Sequence, residues 1–220
     1  MGNKTAILFG GSGLTGNYLL DLLINDCHFN NLIVVSRRKI KLRNKKITNK
    51  VIDFYNAKEI EDCIIKDAIV FSCIGTTSAQ VKGDRKKYKE IDKDITLNIA
   101  LSCKKLRAKK FLFISSAGAK NSSSNFYLKL KGEIENEVIS IKNNTLFIFK
   151  PSLLIGRREH HRFFESIGQI IIPLFSHILP SSIKAVKAST VANAMINCSK
   201  SNKKGLNTIE NKEILKYSNL

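Results

Sequence analysis

Tyr127 and Lys131 stand four residues apart in the run NFYLKLKGEIE, a spacing suited to acid–base chemistry. On a helix the two side chains lie on one face, one turn apart. A phenol is a poor acid or base at neutral pH, but a neighbouring ammonium group favours the phenolate. Ser115 and Ser116 end the preceding apolar run, and Ser116 would hydrogen-bond a substrate oxygen that changes between carbonyl and alcohol. The pattern predicts a catalytic group of Tyr127, Lys131 and Ser116; the alternative is an ordinary amphipathic helix with a solvated basic stripe.

Three glycines, Gly10, Gly13 and Gly16, separate the apolar run TAILF from the helix-like run LTGNYLLDLLIN. This is the GxxGxxG form of the dinucleotide-binding fingerprint. Gly10 would permit a tight turn, Gly13 would let the backbone approach a pyrophosphate, and Gly16 would let helix and strand pack closely. The helix N-terminus would supply unpaired N–H donors. The same turn contains Ser12, Leu14 and Thr15.

Arg37 and Arg38 follow the second apolar run, where NAD-binding proteins carry an acidic residue for the ribose hydroxyls. A carboxylate there would repel a 2′-phosphate, whereas a guanidinium group pairs with phosphate oxygens. The pair therefore favours NADP(H) over NAD(H); the alternative is two more cations in a basic chain. Asp53, after the third apolar run, would either accept a hydrogen bond from the adenine amino group or cap a turn. Ile74 and Gly75 would pack beside the adenosine.

Six β-branched apolar runs alternate with amphipathic stretches over the first 150 residues, which predicts the elements that position these side chains. The rhythm is that of an α/β protein with a doubly wound parallel sheet, the Rossmann fold. We expect one domain over 1–220. Within it, residues 151–220 are predicted to form a small helical C-terminal cap on the substrate side, with helices near 161–178 and 188–200.

The chain carries 37 Lys and Arg against 18 Asp and Glu, a net charge of +19. Such an excess is compatible with nucleic acid, an anionic membrane surface or a phosphate-rich ligand. It is spread along the chain, is mostly Lys and accompanies abundant Asn and Ile, so it indicates compositional bias. Because no recognition motif accompanies the charge, we expect no nucleic-acid partner.

Cysteine and histidine positions give no metal-binding pattern. The five cysteines form no CxxC pair, and His160 and His161 are adjacent, so on a helix they diverge. The N-terminus lacks the regions of a signal peptide, and the apolar run at 167–179 is too short and interrupted to span a bilayer. We therefore expect no metal, no integral membrane segment and a cytoplasmic location.

Gly10 to Gly16, Ser116, Tyr127 and Lys131 together resemble an atypical short-chain dehydrogenase/reductase. The runs SRR, VIDF, CIGTT, SSAGA, NFYLKLKGEIE, KPSLLIGRRE and IENKEI are similar, nearly end to end, to the NADPH-binding family typified by the human Tat-interacting protein and the fungal mitochondrial Fmp proteins. The resemblance implies that Tyr127 is the proton acceptor. The cofactor contacts it implies are Ser12, Gly13, Leu14, Thr15, Arg37, Arg38, Ile74, Gly75, Tyr127, Lys131, Leu154 and Arg162.

Two functions follow from these patterns. The first is an NADP(H)-dependent oxidoreductase acting on a small carbonyl or alcohol substrate. The second is a catalytically weak NADPH-binding regulatory or protein-interaction module, motivated by the small cap and the few polar groups of the C-terminal third. A sugar epimerase would need a larger C-terminal domain. Fold analogy alone suggests a homodimer through the two long helices.

Overall fold

Seven parallel strands form the central sheet of the computed structural model, which describes residues 4–40, 44–156 and 184–218. The strands in chain order are β1 (Thr5–Phe9), β2 (Asn31–Ser36), β3 (Ile47–Val51), β4 (Ile69–Ser72), β5 (Lys110–Ile114), β6 (Thr145–Lys150), β7 (Leu154–Ile155), β8 (Val186–Lys187) and β9 (Gly205–Glu210). The helices are α1 (Leu14–Asn25), α2 (Ala57–Glu61), α3 (Arg85–Lys89), α4 (Ile95–Lys105), α5 (Phe126–Ser140), α6 (Ala188–Lys200) and α7 (Asn211–Ile214). A π-helical turn (Glu90–Asp94) joins α3 to α4, and a 3₁₀ turn (Leu215–Tyr217) follows α7.

The order across the sheet is β3-β2-β1-β4-β5-β6-β9, and β7 pairs with β8 separately. The chain runs outward from β1 to β3, then returns to place β4 on the other side of β1. In sheets of this kind, the crevice at the carboxyl ends of the two strands where the order reverses binds ligands. The predicted doubly wound fold is confirmed.

The two faces of the sheet bury separate cores. In β1, Ile7 and Phe9 join the cluster under α4 and α5, whereas Ala6 and Leu8 join the cluster under α1 and α6, and all four are fully buried. A strand that is buried on both faces has a continuous run of apolar residues, which is why TAILF predicts a strand of this kind. Burying an Ile, Leu or Phe side chain contributes about 1.5–3 kcal/mol, so the sheet is a rigid base for the loops at its edge.

The C-terminal residues that the structure describes complete this sheet. Strand β9 pairs with β6, with Thr145 opposite Gly205, and α6 packs against α1 through buried Val191 and Met195. Residues 184–218 of the predicted cap thus add a strand and a helix to the sheet, and a role of 151–220 on the substrate side stays a prediction. The helix at 188–200 is confirmed, and the predicted helix near 161–178 lies outside the described residues.

Two helical predictions differ from the structure in length. The stretch AKEIEDCIIK gives only the short α2, and the long stretch from Tyr88 to Leu106 is divided into α3, the π-helical turn and α4. Strand β3, Ile47–Val51, lies within the basic stretch after β2 and pairs with β2. Among the residues described here, no helix is long and apolar enough to cross a bilayer.

Candidate functional site

The glycine turn lies between β1 and α1. Gly10 has φ +79°, and a Cβ there would stand 2.7 Å from the carbonyl carbon and oxygen of Cys73. A Cβ on Gly16 would overlap the carbonyl oxygen of Gly10. A side chain at either position would force the turn or the neighbouring end of β4 to move. The two glycines therefore have the roles expected from the sequence, a tight turn and a close helix–strand approach.

The first turn of α1 presents unused backbone donors. Gly13 is its N-cap, in extended conformation with no capping side chain, and its N–H donates to Gly10 O over 3.0 Å. In the described part of the chain, the N–H groups of Leu14, Thr15 and Gly16 donate to no backbone carbonyl. Such groups at the positive end of a helix suit a phosphate. The residues at this turn thus fit the pyrophosphate of a dinucleotide.

The ends of β4 and β7 reach the same turn. The Cβ position of Gly10 lies 3.0 Å from the backbone nitrogen of Ile74, so the chain at Ile74 and Gly75 borders the turn. Gly156 follows β7, and a Cβ there would stand 3.0 Å from Leu14 Cδ1. Leu154 precedes it by two residues. The structure therefore brings all these predicted cofactor contacts to one edge.

Arg37 and Arg38 come directly after β2, next to the turn that follows the neighbouring β1. Both are exposed, and within the described ranges neither pairs with a carboxylate. Ser36 and Asn49 fix the loop: Ser36 Oγ donates to Arg38 O over 2.7 Å, and Asn49 Nδ2 donates to Ser36 Oγ over 2.9 Å. The two guanidinium groups are available to a phosphate. Arg162 lies outside the described residues.

Asp53 has the turn-capping contact that was the alternative to adenine binding. Its Oδ1 accepts from the Tyr55 N–H over 2.9 Å, and its own N–H donates to Glu59 Oε2 over 2.9 Å. The side chain is exposed beyond β3. A contact with adenine stays a prediction.

Tyr127 and Lys131 lie one turn apart on α5, as the spacing predicts. Asn125 caps the helix by accepting from the Leu128 N–H over 3.1 Å, which places Tyr127 in the first turn. Lys131 Nζ stands 5.8 Å from the centroid of the Tyr127 ring. Ser116 follows the end of β5, and its hydroxyl makes only a 3.3 Å contact with Ala117 O. The ammonium group is therefore positioned to act on the phenol.

A buried carboxylate, Asp92, is the partner of Lys131. Its Oδ2 lies 2.8 Å from Lys131 Nζ, and the two side chains are 1% and 8% exposed. Asp92 Oδ1 accepts from the Thr76 N–H over 2.7 Å. Within the described residues, Asp92 Oδ2 forms no hydrogen bond of good geometry, so its interaction with Lys131 is mainly electrostatic. Asp92 thereby links the loop after β4 to the face of α5 that carries Tyr127 and Lys131.

The π-helical turn carries Asp92, and such turns are frequent at functional sites. Burial by itself lowers the pKa of Lys131, but the nearby charge of Asp92 outweighs it, so the pKa is raised. Lys131 is thus held as an ammonium ion. Burial also raises the pKa of Tyr88, whose hydroxyl donates to Thr76 O over 2.9 Å, so this second phenol stays protonated.

Ser115 is engaged elsewhere. Its hydroxyl donates to Glu135 Oε1, and Lys150 Nζ lies 3.1 Å from Glu135 Oε2. Ser115 and Glu135 are 3% and 9% exposed. The network fixes the end of β5 against α5 and includes Ser115 but not Ser116, whose hydrogen bond to a substrate stays a prediction.

Gly132 lets the loop after Ser116 approach α5. A Cβ on Gly132 would lie 2.5 Å from the carbonyl carbon of Lys120 and from the nitrogen of Asn121. The Lys120 N–H donates to Leu128 O over 3.1 Å. Gly132 was not predicted as part of the site, although a glycine inside a helical pattern is a signal of close packing. Asp92 was not predicted either, because it lies in the charged run KEIDKD and resembles its solvated neighbours.

A cavity of about 710 Å³ opens beside Tyr127. Its lining includes Arg85, Phe126 and Tyr88 together with the loop after β4. In the part of the chain that the structure describes, no group of three or more His, Cys, Asp or Glu side chains is placed to hold a metal. The site therefore consists of a glycine turn, a Tyr–Lys–Ser group and a substrate-sized cavity.

A parallel sheet with a glycine turn at its switch point defines a dinucleotide-binding α/β protein of the Rossmann type. The chain belongs to the NAD(P)H-binding family, whose model matches residues 10–145, more than half of the chain. The match confirms the predicted class of cofactor and leaves NADP and NAD undistinguished.

Two sequence relatives cover most of the chain. Protein HTATIP2 of Rattus norvegicus is 32% identical over 222 residues, which span 98% of this chain and 89% of that protein. The mitochondrial protein FMP52 of Meyerozyma guilliermondii is 37% identical over 167 residues, which span 73% of this chain and 70% of that protein. The resemblance to atypical short-chain dehydrogenase/reductases is confirmed.

Two solved structures share the fold. The UDP-N-acetylglucosamine 4-epimerase from Methanobrevibacter ruminantium has a TM-score of 0.73 at 20% identity, covering 96% of this chain and 77% of that chain. MoeE5, solved with UDP-glucuronic acid and NAD, has a TM-score of 0.71 at 13% identity, covering 94% of this chain and 75% of that chain. At such identities the likeness shows the fold alone.

Proposed function

We propose that this protein is an NADP(H)-dependent oxidoreductase that interconverts a small carbonyl compound and its alcohol. The observation that carries the proposal is the position of Tyr127 and Lys131 on one face of α5, beside a substrate-sized cavity. Ser116 and the glycine turn lie at the same edge of the sheet. This is the grouping that acid–base chemistry next to a dinucleotide requires.

The nicotinamide of the bound cofactor supplies or accepts the hydride. Tyr127 would donate its hydroxyl proton to the carbonyl oxygen in the direction of reduction and take a proton from the alcohol in the direction of oxidation. Lys131, held as an ammonium ion by Asp92, favours the phenolate that reduction leaves behind. Ser116 would donate a hydrogen bond to the same substrate oxygen.

The choice of NADP(H) rests on Arg37 and Arg38. Calorimetric titrations with NADPH and with NADH should show much tighter binding of NADPH. Arg37→Gln should weaken NADPH binding by about tenfold or more, the value of a charge-assisted hydrogen bond, and leave NADH binding unchanged. Lys66→Gln is the matched control, since it removes one exposed charge from the turn before β4. Equal binding of the two cofactors would refute the assignment.

Turnover tests the role of Tyr127. With NADPH and a panel of aldehydes, ketones and quinones, Tyr127→Phe should lose nearly all activity while keeping cofactor affinity. The control is Tyr217→Phe, which removes a hydroxyl that contacts Cys198 on the opposite face of the sheet. Equal rates in wild type and Tyr127→Phe would remove Tyr127 from the mechanism. Cofactor binding without turnover of any substrate would favour the regulatory module.

A cytoplasmic location and a homodimer stay predictions. Since FMP52 is named as mitochondrial, cell fractionation is the direct check on location, and sedimentation of the purified chain is the check on its assembly.

A further inference from the structure

The cavity beside Tyr127 is rich in hydrogen-bond donors. The described residues that line it are Thr76, Thr77, Ser78, Gly83, Arg85, Tyr88, Ser124, Asn125, Phe126 and Tyr127, among which there is no carboxylate. Arg85 is the one cation in this set. A lining with a guanidinium group, hydroxyls and no acid is complementary to an anion.

Arg85 is held in place at the cavity. Its guanidinium carbon stands 5.0 Å from the centroid of the Phe126 ring, a cation–π contact. Arg85 begins α3, whose N-cap Asp84 accepts from the Lys87 N–H over 3.0 Å and so is engaged with the helix. No carboxylate in the described ranges pairs with Arg85. The planar fork of donors is thus positioned and unpaired.

Further donors face the same space. Asn125 uses its Oδ1 to cap α5, which leaves the amide nitrogen for other partners. The hydroxyls of Ser78 and Ser124 make no hydrogen bond with any described residue. These groups would complete the coordination of an oxyanion bound by Arg85.

Aromatic rings form the rest of the wall. The Tyr88 ring meets those of Phe126 and Tyr127 edge to face, with centroids 5.8 and 6.3 Å apart. The Tyr88 hydroxyl is engaged with Thr76 O, so this ring presents mainly apolar surface to the cavity. A flat apolar body suits such a wall.

We propose that the cavity binds carbonyl substrates that carry an anionic group, with Arg85 as the residue that recognises the anion and the aromatic wall as the contact for the substrate body. The inference rests on the proposed oxidoreductase function and names its substrate class. Carboxylate and phosphate share the required chemistry, so both are tested.

Equilibrium binding of three aldehyde probes tests the substrate class without requiring turnover. The probes are 4-carboxybenzaldehyde, 4-formylphenyl phosphate and the neutral 4-formylbenzamide, measured by calorimetry with the NADPH-loaded protein. At least one anionic probe should bind about tenfold more tightly than the amide, because it forms a charge-assisted hydrogen bond at an open site. The same preference should appear in KM wherever turnover is seen.

Variants separate Arg85 from the general positive charge. Arg85→Gln should abolish the preference for the anionic probe, and Arg85→Lys should keep part of it. Lys87→Gln is the matched control. It removes one positive charge two residues from Arg85, and the Lys87 side chain does not line the cavity. This variant should keep the full preference for the anionic probe. Equal affinity for anionic and neutral probes, binding of none of them, or equal losses in Arg85→Gln and Lys87→Gln would overturn the inference. Anion preference without turnover would uphold the site and reject the proposed catalysis.

Discussion

Asp92→Asn tests the buried ion pair that Asp92 forms with Lys131. The asparagine keeps the shape of the side chain and an oxygen to accept from the Thr76 N–H, but removes the charge that faces Lys131. At 2.8 Å and an effective dielectric of about 20, two unit charges attract by about 6 kcal/mol. Part of this offsets the desolvation of both groups, and removing one partner of a buried pair costs about 3–5 kcal/mol. We expect the variant to lose about that much free energy of unfolding at neutral pH.

The pH dependence of this loss identifies its origin. In the wild type the pKa of Lys131 is raised, so its stabilisation is complete below the unfolded pKa of about 10.4 and is lost only at higher pH. Without Asp92, we expect the burial of Lys131 to lower its pKa below the unfolded value, because burial is the largest single effect on it. The folded variant then loses its proton first, and its deficit relative to wild type should shrink as the pH rises through that lowered value, by up to about 1.4 kcal/mol per unit.

Urea unfolding followed by circular dichroism, between about pH 7 and pH 9, measures the deficit. Tyrosine ordinarily titrates above this pH range, so it does not contribute to the difference. The five cysteines are present in both proteins, so their titration affects both in the same way. Lys131→Met and the double variant complete a mutant cycle, in which Asp92→Asn should cost little once Lys131 is absent. A deficit below about 1 kcal/mol, or one that is independent of pH, would refute the account of the pair.

Three further results are expected. Gly16→Ala should destabilise the fold by about 1–3 kcal/mol and weaken NADPH binding in calorimetry, because its Cβ would overlap a carbonyl oxygen of the turn; unchanged affinity would contradict this. Ser116→Ala should lower kcat by about a hundredfold at unchanged stability, whereas Ser115→Ala should lower stability by about 1–3 kcal/mol in thermal unfolding; the reverse pattern would exchange their roles. Burial by itself raises the pKa of Asp26, but the interaction with Lys200 outweighs burial and lowers the pKa. Asp26→Asn should therefore lower the free energy of unfolding by up to about 1 kcal/mol at neutral pH, and this loss should vanish as the pH falls below about 4. A loss of stability that persists in acid would show another origin.

Local patterns predicted those parts of the molecule that local physics determines. Strands covered on both faces must be apolar throughout, so TAILF and TLFIFK predict β1 and β6 correctly. Strand β9 was missed because GLNTIE lies at the edge of the sheet, where only Ile209 is buried, and so has no apolar run. The π-helical turn was missed because its residues keep the amphipathic pattern of the α-helices on either side.

The candidate site divides in the same way. Gly10, Gly16, Tyr127 and Lys131 act through spacing along the chain, which the sequence displays directly. Asp92 meets Lys131 only through packing of the π-helical turn against α5, and no local pattern distinguishes a buried aspartate from a solvated one. The cavity beside Tyr127 could not be predicted for the same reason, since its walls come from separate loops and from α3 and α5.

The pairing of the first helix with a late one has a consequence for biosynthesis. The apolar side chains of α1, Leu19 and Leu23 among them, pack against α6, and both helices lie in the same core. A nascent chain therefore emerges from the ribosome with this surface uncovered until Ala188–Lys200 has been made. Polypeptides that stop before α6 leave this surface exposed permanently, so premature termination should give chains that depend on chaperones rather than a smaller folded protein.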